Sequence, residues 1–168
     1  MRLAWLIASP LVADTAGFGI NSHPYDPKCL NPYNLWSYVS DASKSWAAQL
    51  ANLLDMEPVV TAVSGVGLDS AYGNKPWDYY RDNANPFDPD EKFDYSDSPS
   101  AVIILLGPND CGKSNGNNCP NYFNDLYVEM LQHYLAVYDS KVPVVSVIGG
   151  SSSGYNQALV DAVREATR

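Results

Sequence analysis

The chain has 168 residues, of which 46% are hydrophobic and 17% charged. This length and composition suit the core of one globular domain and leave too little chain for two. Nineteen acidic and ten basic residues give a net charge of −9. Because such a surface repels phosphate groups, we expect neither nucleic acid nor an anionic membrane as a partner. No apolar run approaches the ~20 residues that a membrane-spanning helix requires.

The first thirteen residues have two interpretations. The apolar stretch Leu3–Ile7 after Arg2, with the small residue Ala13 beyond it, is typical of a short signal peptide. Leu11 fits the small-residue rule at the cleavage site poorly, and a misassigned gene start would give a similar pattern. Alternatively, Arg2–Ala8 is the buried first strand of an α/β domain. The sequence leaves both interpretations open.

A helix is predicted between a Pro-rich loop over residues 21–33 and a short strand. Pro58 ends this helix, and the β-branched run Val59–Val63 is predicted as a buried strand. Ser40 or Asp41 would cap the start of the helix. Its apolar positions recur at spacings of three and four: Val39, Ala42, Trp46, Leu50, Leu53 and Leu54.

Residues 73–100 differ in character from the rest of the chain. They contain four prolines, seven acidic residues and six aromatic residues without a sustained period. We predict a long acidic and aromatic loop, with one helical turn at Trp77–Arg81. The run Asp88–Glu91 lacks the alternation and the glycine of an EF-hand loop, so a solvated acidic loop is favoured over a calcium site.

The second half of the chain alternates strands with helices. Ala101–Leu106 is the clearest strand, Pro143–Ile148 is another, and Gly154–Thr167 is helical. Between them lies the longest predicted helix, with His133 on its solvated face and one apolar stripe: Phe123, Leu126, Met130, Leu131, Tyr134 and Tyr138. This alternation predicts a single α/β domain, residues 1–168, with a parallel sheet covered by helices on both faces.

The three cysteines give weak information on compartment. Cys111 and Cys119 are close enough in sequence to close a short disulfide loop, which would suit secretion, but buried free thiols fit equally well. Cys29 stands alone. No Cys-x-x-Cys pair occurs and the two histidines are far apart in sequence, so no metal site is predicted.

Three predicted strand ends carry glycine-containing segments, at Ala13–Gly19, Ser64–Gly67 and Gly107–Asp110. Ligands of open parallel sheets bind beyond the carboxyl ends of the strands. Glycine lets backbone amides approach a ligand closely, and the side-chain amide of Asn109 beside such N–H groups would form an oxyanion hole. These segments are therefore the candidate functional site.

Two of these segments carry a resemblance to a known family. The runs Val60–Gly67 and Val102–Asp110 resemble the second and third conserved blocks of the SGNH (GDSL-type) hydrolases. Ser45–Leu50, followed by Ser64-Gly65, is similar to the carbohydrate-esterase branch, which removes O-acetyl groups from glycans. The resemblance extends from Asp14 to the end of the chain.

The resemblance implies a three-layer flavodoxin-like fold, an acylated carbohydrate substrate and no cofactor. It places the Gly65 amide and the Asn109 side chain in the oxyanion hole. In this family a Ser in a Gly-Asp-Ser block attacks the acyl group, and an Asp-x-x-His pair near the C-terminus activates it. The aromatic segment Trp77–Tyr95, with Trp77 and Tyr80 foremost, would offer a wall for a sugar ring; a loop pinned by buried rings is the favoured alternative.

The sequence departs from the family pattern at two places. Asp14–Gly19 continues the first block, but Ala13 occupies the nucleophile position and has no hydroxyl. No Asp-x-x-His occurs, since Ile20 and Met130 stand three residues before His23 and His133. We therefore expect negligible esterase activity from this polypeptide.

Two explanations fit these losses. We favour an incomplete gene model that lacks the true first block and, beyond Arg168, the last strand and catalytic loop; Pro143–Ile148 would then lie at a sheet edge and solubility would be poor. A pseudoenzyme retained for non-catalytic glycan binding is the alternative. A flavin or nucleotide binder is disfavoured because no Gly-x-Gly-x-x-Gly follows the first strand.

Overall fold

A computed structural model describes residues 3–8, 41–62, 66–69, 76–85, 88–111 and 119–147, together with five helical residues near the C-terminus, Gln157, Val160, Asp161, Arg164 and Glu165. Strands and helices alternate over most of this length, which confirms the predicted α/β class. The elements are β1 (Leu3–Ala8), a 3-10 turn (Ala42–Lys44), α1 (Trp46–Leu54), β2 (Glu57–Thr61), α2 (Trp77–Asp82), β3 (Asn83–Asn85), β4 (Asp88–Lys92), β5 (Val102–Leu105), α3 (Pro108–Cys111), α4 (Phe123–Val137) and β6 (Val144–Ser146).

The main sheet has the order β2-β1-β5-β6, and all its neighbouring strands are parallel. Trp5 of β1 pairs with Val59 on one side and Val102 on the other, while Ile103 pairs with Val145. This order is that of a flavodoxin-like sheet, as predicted, and it brings the carboxyl ends of all four strands to one edge. The central position of β1 agrees with the first-strand interpretation of Arg2–Ala8.

The predicted apolar stripe of the first helix is only partly correct, because its last two leucines are exposed while Trp46 and Leu50 are half-buried. α1 begins after Ser45, whose hydroxyl accepts the Ala48 amide hydrogen, and it buries Ala47 and Ala51 near β1 and β2. Leu53 is 81% exposed. Since alanine has only a methyl side chain, this face lets the helix axis approach the sheet closely.

The boundaries around α1 also differ from the prediction. Asp41 caps the separate 3-10 turn, where it accepts the Ser43 amide hydrogen. Asp55, in the left-handed region at φ 52°, ends α1, and Pro58 lies inside β2 instead of ending the helix. β2 is the outer strand of the described sheet, and Val60 is 42% exposed. A proline and an exposed valine are both compatible with an edge strand.

The core lies between α4 and β5. The buried face of α4 follows the predicted stripe closely, except that Tyr127 is buried and Leu126 only half-buried. These side chains pack with Leu68 and with three residues of β5 and its C-terminal end: Val102, Ile104 and Leu106. None of the described helices is long and apolar enough to cross a membrane.

The acidic and aromatic segment is more ordered than predicted. The helical turn is confirmed as α2, but β3 and β4 form an antiparallel hairpin that the sequence did not reveal. The Lys92 ammonium donates to the Asn83 side-chain oxygen at 2.8 Å, which ties the two strands together. The hairpin was missed because its residues are mainly Asn, Asp, Pro and Lys, which are rare in strands.

An aromatic cluster joins this segment to α4. It consists of Trp77, Phe93, Tyr95, His133, Tyr134 and Tyr138. The prediction of a solvated His133 is wrong, because its ring is half-buried and lies 5.1 to 6.1 Å from three of these rings, centroid to centroid. The Tyr95 hydroxyl donates to the Arg81 carbonyl at 2.8 Å, which fastens the cluster to α2.

Candidate functional site

The turn after β5 brings two polar side chains to the carboxyl edge of the sheet. Gly107 is buried and has φ 119°, a backbone conformation that a residue with a Cβ adopts only with strain. The Asp110 amide hydrogen bonds to the Gly107 carbonyl at 3.0 Å, which closes the turn into the single helical turn α3. Asn109 and Asp110 are thereby held directly beyond the strand.

Asn109 connects this turn to the segment that follows β2. Its side-chain nitrogen donates a hydrogen bond to the Val66 carbonyl at 3.0 Å, and the residue is half-buried. A carboxamide nitrogen carries two hydrogens, and this bond uses one of them. The second hydrogen is the one that could be offered to a ligand.

Asp110 makes a two-pronged contact with the same segment. One carboxylate oxygen accepts the Leu68 amide hydrogen at 3.0 Å, and the other accepts the Asp69 amide hydrogen at 3.3 Å. Asp110 is only 3% exposed. Burial raises the pKa of this carboxyl group, although the amide hydrogen bonds act in the opposite direction.

These bonds define a rim, by which we mean the segments Val66–Asp69 and Gly107–Asp110. In the sheet β1 separates β2 from β5, so the bonds join the two segments across the carboxyl end of β1. The strand order of a flavodoxin-like sheet reverses between β1 and β5, and this is where such sheets bind their ligands. The rim thus has the location of a small polar binding site and carries one side-chain donor, the second hydrogen of Asn109, that could serve it.

Two of the predicted site residues fall outside the described part of the chain. Gly65 immediately precedes the described segment Val66–Asp69, and Ala13 follows β1 by five positions. The roles of Gly65 in the oxyanion hole and of Ala13 at the nucleophile position therefore stay predictions. Asn109 lies on the rim, where the sequence pattern placed it.

Of the two predicted sugar-stacking residues, Trp77 is buried and Tyr80 is half-buried. Trp77 is 6% exposed, with the Arg81 guanidinium 4.9 Å from its ring centroid and His133 at 6.1 Å. Tyr80 is half-buried and meets Tyr79 edge-on at 5.3 Å. This geometry favours the alternative of a loop pinned by buried rings. The Trp77 amide donates to the Leu68 carbonyl at 3.3 Å, which attaches α2 to the rim.

Sequence reasoning missed two residues of this site. The sequence pattern predicted no role for Asp110, because the partners of its carboxylate lie 41 and 42 positions earlier in the chain. Tyr122 is 41% exposed, and its pKa is raised by burial and by the negative charges of Asp110 and Asp69. Its position just before α4 gave no signal beyond an aromatic residue near a cysteine-bounded loop.

In the part of the chain that the structure describes, no group of three His, Cys, Asp or Glu residues could hold a metal ion. Cys119 is disulfide-bonded, and its partner lies outside the side chains that the structure describes. The pairing of Cys111 with Cys119 remains a prediction.

No family model and no curated protein matches the sequence. Solved structures do match it. A family two carbohydrate esterase from Clostridium thermocellum, in complex with cellohexaose, has a TM-score of 0.73 and 22% identity over 98% of this chain and 48% of its own. A Corynascus thermopiles (Myceliophthora fergusii) carbohydrate esterase family 2 enzyme with a carbohydrate-binding domain has a TM-score of 0.75 and 21% identity over 98% and 52%.

A third structure is of a carbohydrate esterase whose active site displays divergent catalytic and non-catalytic binding functions. It has a TM-score of 0.78 and 16% identity over 99% of this chain and 55% of its own. The chain thus has the fold of the family two carbohydrate esterases, which confirms the predicted resemblance at the level of the fold. It spans about half the length of these structures.

Proposed function

We propose that the rim binds O-acylated carbohydrate, with O-acetyl as the acyl group, and that this polypeptide hydrolyses it negligibly. The observation that carries the proposal is the pair of side chains Asn109 and Asp110, which join the segments after β2 and β5 across the end of β1. This arrangement leaves the second hydrogen of the Asn109 side chain as the donor that a ligand on the rim would meet. A carbonyl oxygen of an acyl group is the acceptor that such a donor suits.

In this proposal the acyl carbonyl oxygen accepts the second hydrogen of the Asn109 side chain and the Gly65 amide hydrogen. In a complete esterase the same donors would stabilise the oxyanion that forms when a nucleophile attacks the carbonyl carbon. Here the expected nucleophile position holds Ala13, and the sequence contains no Asp-x-x-His. Binding and carbonyl polarisation then remain, while the attacking group and its general base are missing.

The comparisons support the ligand class of this proposal. The Clostridium thermocellum esterase of the same fold is in complex with cellohexaose, a carbohydrate. The net charge of −9 disfavours anionic polymers and is compatible with a neutral acetylated glycan. The nearby exposed ring of Tyr122 is a surface on which a sugar could pack.

An NMR titration with acetylated and deacetylated xylo-oligosaccharides tests the proposal. We expect tighter binding of the acetylated form, and a loss of about tenfold in Asn109→Ala, the size typical of one hydrogen bond. Asn52→Ala, at an exposed position of α1, is the matched control and should bind like the wild type. Equal affinities for both sugars would refute an acyl-binding site.

Acetate release measures the second half of the proposal. We expect no release from acetylated xylan or p-nitrophenyl acetate above that of a protein-free control. Release that disappears in Asn109→Ala would show that this chain has a catalytic group outside the family pattern.

The second candidate function is glycan binding without any contribution from an acyl group. It is favoured by the third structure, whose active site displays divergent catalytic and non-catalytic binding functions. It predicts that the deacetylated sugar binds as well as the acetylated one and that Asn109→Ala has no effect. The titration above therefore separates the two candidates.

A further inference from the structure

The burial of the Asp110 carboxylate costs folding free energy, because a buried charge loses its hydration. Asp110 is 3% exposed, and burial raises its pKa despite hydrogen bonds from the Leu68 and Asp69 amides. A carboxyl group whose pKa is higher in the folded state binds more protons when folded, so stability falls as pH rises through its titration. No ion pair of Asp110 is found among the described residues.

The geometry of the contact between Asp110 and the segment Val66–Asp69 depends on the carboxylate being ionised. Its two oxygens accept hydrogens from two consecutive amides, at 3.0 Å from Leu68 and 3.3 Å from Asp69. Only an ionised carboxylate presents two pure acceptors at this spacing, because an amide or a protonated acid carries a hydrogen on one side. With Asn109 holding the Val66 carbonyl, three bonds fix the segment directly after Gly65.

We infer that ionised Asp110 is a positioning residue, which holds the segment Val66–Asp69 so that the Val66 carbonyl orients the Asn109 side chain and leaves its second hydrogen available to the acyl oxygen. This inference rests on the proposed function. It assigns to Asp110 no contact with the ligand. Its role is to hold the segment that orients the Asn109 side chain.

Two other titratable groups face this carboxylate among the described residues. Asp69 lies on the same segment, is exposed, and its negative charge disfavours ionisation of Asp110. Tyr122 lies just before α4, and its pKa is raised by the negative charges of both carboxylates as well as by burial. Neither group is a cation that could neutralise Asp110, so the amide hydrogens are its principal stabilising contacts.

Hydrogen exchange of the Leu68 and Asp69 amides in the 168-residue chain, measured by NMR, tests the inference without a ligand. In Asp110→Asn one acceptor becomes a donor, and we expect exchange of at least one of these amides to accelerate about tenfold or more. Unfolding by urea should show little change or a gain in stability at pH 7, because the buried charge is gone. A purely structural role would instead lower global stability together with protection.

Asp94→Asn is the matched control. Asp94 also accepts a backbone hydrogen, from Ser96 at 2.8 Å, but it lies on an exposed segment, and its replacement should leave Leu68 and Asp69 unchanged. The inference is overturned if Asp110→Asn leaves the exchange of both amides unchanged, or accelerates exchange throughout the domain.

Titration with the acetylated xylo-oligosaccharide separates the inference from the proposed function. We expect Asp110→Asn to weaken binding about tenfold, in line with the loss of donor alignment. If wild type and variant both fail to bind while the two amides exchange faster in the variant, the positioning of the segment is supported and the proposed ligand is wrong. If the amides exchange faster and binding is unchanged, the inferred role in ligand binding is overturned.

Discussion

The rim and the aromatic cluster differ in how their side chains are satisfied. In the cluster, rings pack against rings at centroid distances of 4.8 to 6.1 Å, and Arg81 lies above the indole of Trp77. On the rim, a buried carboxylate and a half-buried carboxamide bind backbone groups of another segment. The cluster thus derives its order from apolar contact and the rim from directed polar contact.

This contrast teaches where function is to be sought in this chain. The many aromatic residues at 73–100 suggested a sugar-binding wall, yet the structure uses Trp77 and Tyr95 as packing against α4. The rim has an unremarkable composition but holds the Asn109 side chain and a buried carboxylate at the switch point of the sheet. Polar groups held at a cost to stability are a better sign of a site than aromatic content.

The largest effect is expected from Trp77→Ala. Removing a buried indole should reduce the free energy of unfolding by about 3–5 kcal/mol, because a cavity is left and the contact with Arg81 is lost. Urea denaturation measures this change, and Leu53→Ala, at an exposed position, should change stability by less than about 0.5 kcal/mol. A Trp77→Ala protein that keeps its stability but no longer binds sugar would contradict this expectation. It would show that Trp77 serves ligand binding and not packing.

A smaller effect is expected from Asn109→Ala on stability. The loss of its bond to the Val66 carbonyl should lower the free energy of unfolding by about 1 kcal/mol, the usual net value of one hydrogen bond. Each effect is expressed as the ratio of an equilibrium constant in Asn109→Ala to that in the control Asn52→Ala. The ratio for ligand dissociation should be larger than the ratio for unfolding. A loss of several kcal/mol would show that Asn109 is chiefly a structural residue.

The smallest effect is expected from His133→Phe, as a change in how the free energy of unfolding of the protein depends on pH. Burial and the charge of Arg81 lower the pKa of His133, and Asp82 opposes this; Tyr95 and Tyr134 line its ring. Because the unfolded state then binds the proton more readily, stability should fall as pH drops below about 6.5. In His133→Phe this slope, measured by urea denaturation between pH 5 and 7.5, should flatten. An unchanged slope would show that His133 does not titrate differently on folding.

Local patterns allowed much of the fold to be predicted. β5 was identified by six consecutive apolar residues before a glycine and a proline, and α4 by an apolar stripe at helical spacing. α1 was placed too early because both candidate caps, Ser40 and Asp41, precede the separate 3-10 turn. Asp41 caps that turn, and Ser45 caps the helix. Its alanine face could not be inferred, since burial is decided by the sheet beneath it.

The candidate site was predictable only in part. Gly107 and Asn109 were identified because a glycine and an asparagine after a buried strand form a local signal. The role of Asp110 was not identified, since the amides that it binds are brought to it by the fold from more than forty positions away. Tyr95 and His133 likewise meet only because the segment after the hairpin packs against α4.

The peptide units around Leu68 serve both regions at once. The Leu68 amide hydrogen goes to Asp110, while its carbonyl oxygen receives the Trp77 amide hydrogen. Anyone who replaces the connection over residues 70–75 to install a new specificity would therefore also be altering the anchorage of the donors at the sheet edge. A graft that keeps both hydrogen bonds of Leu68 would preserve this shared attachment.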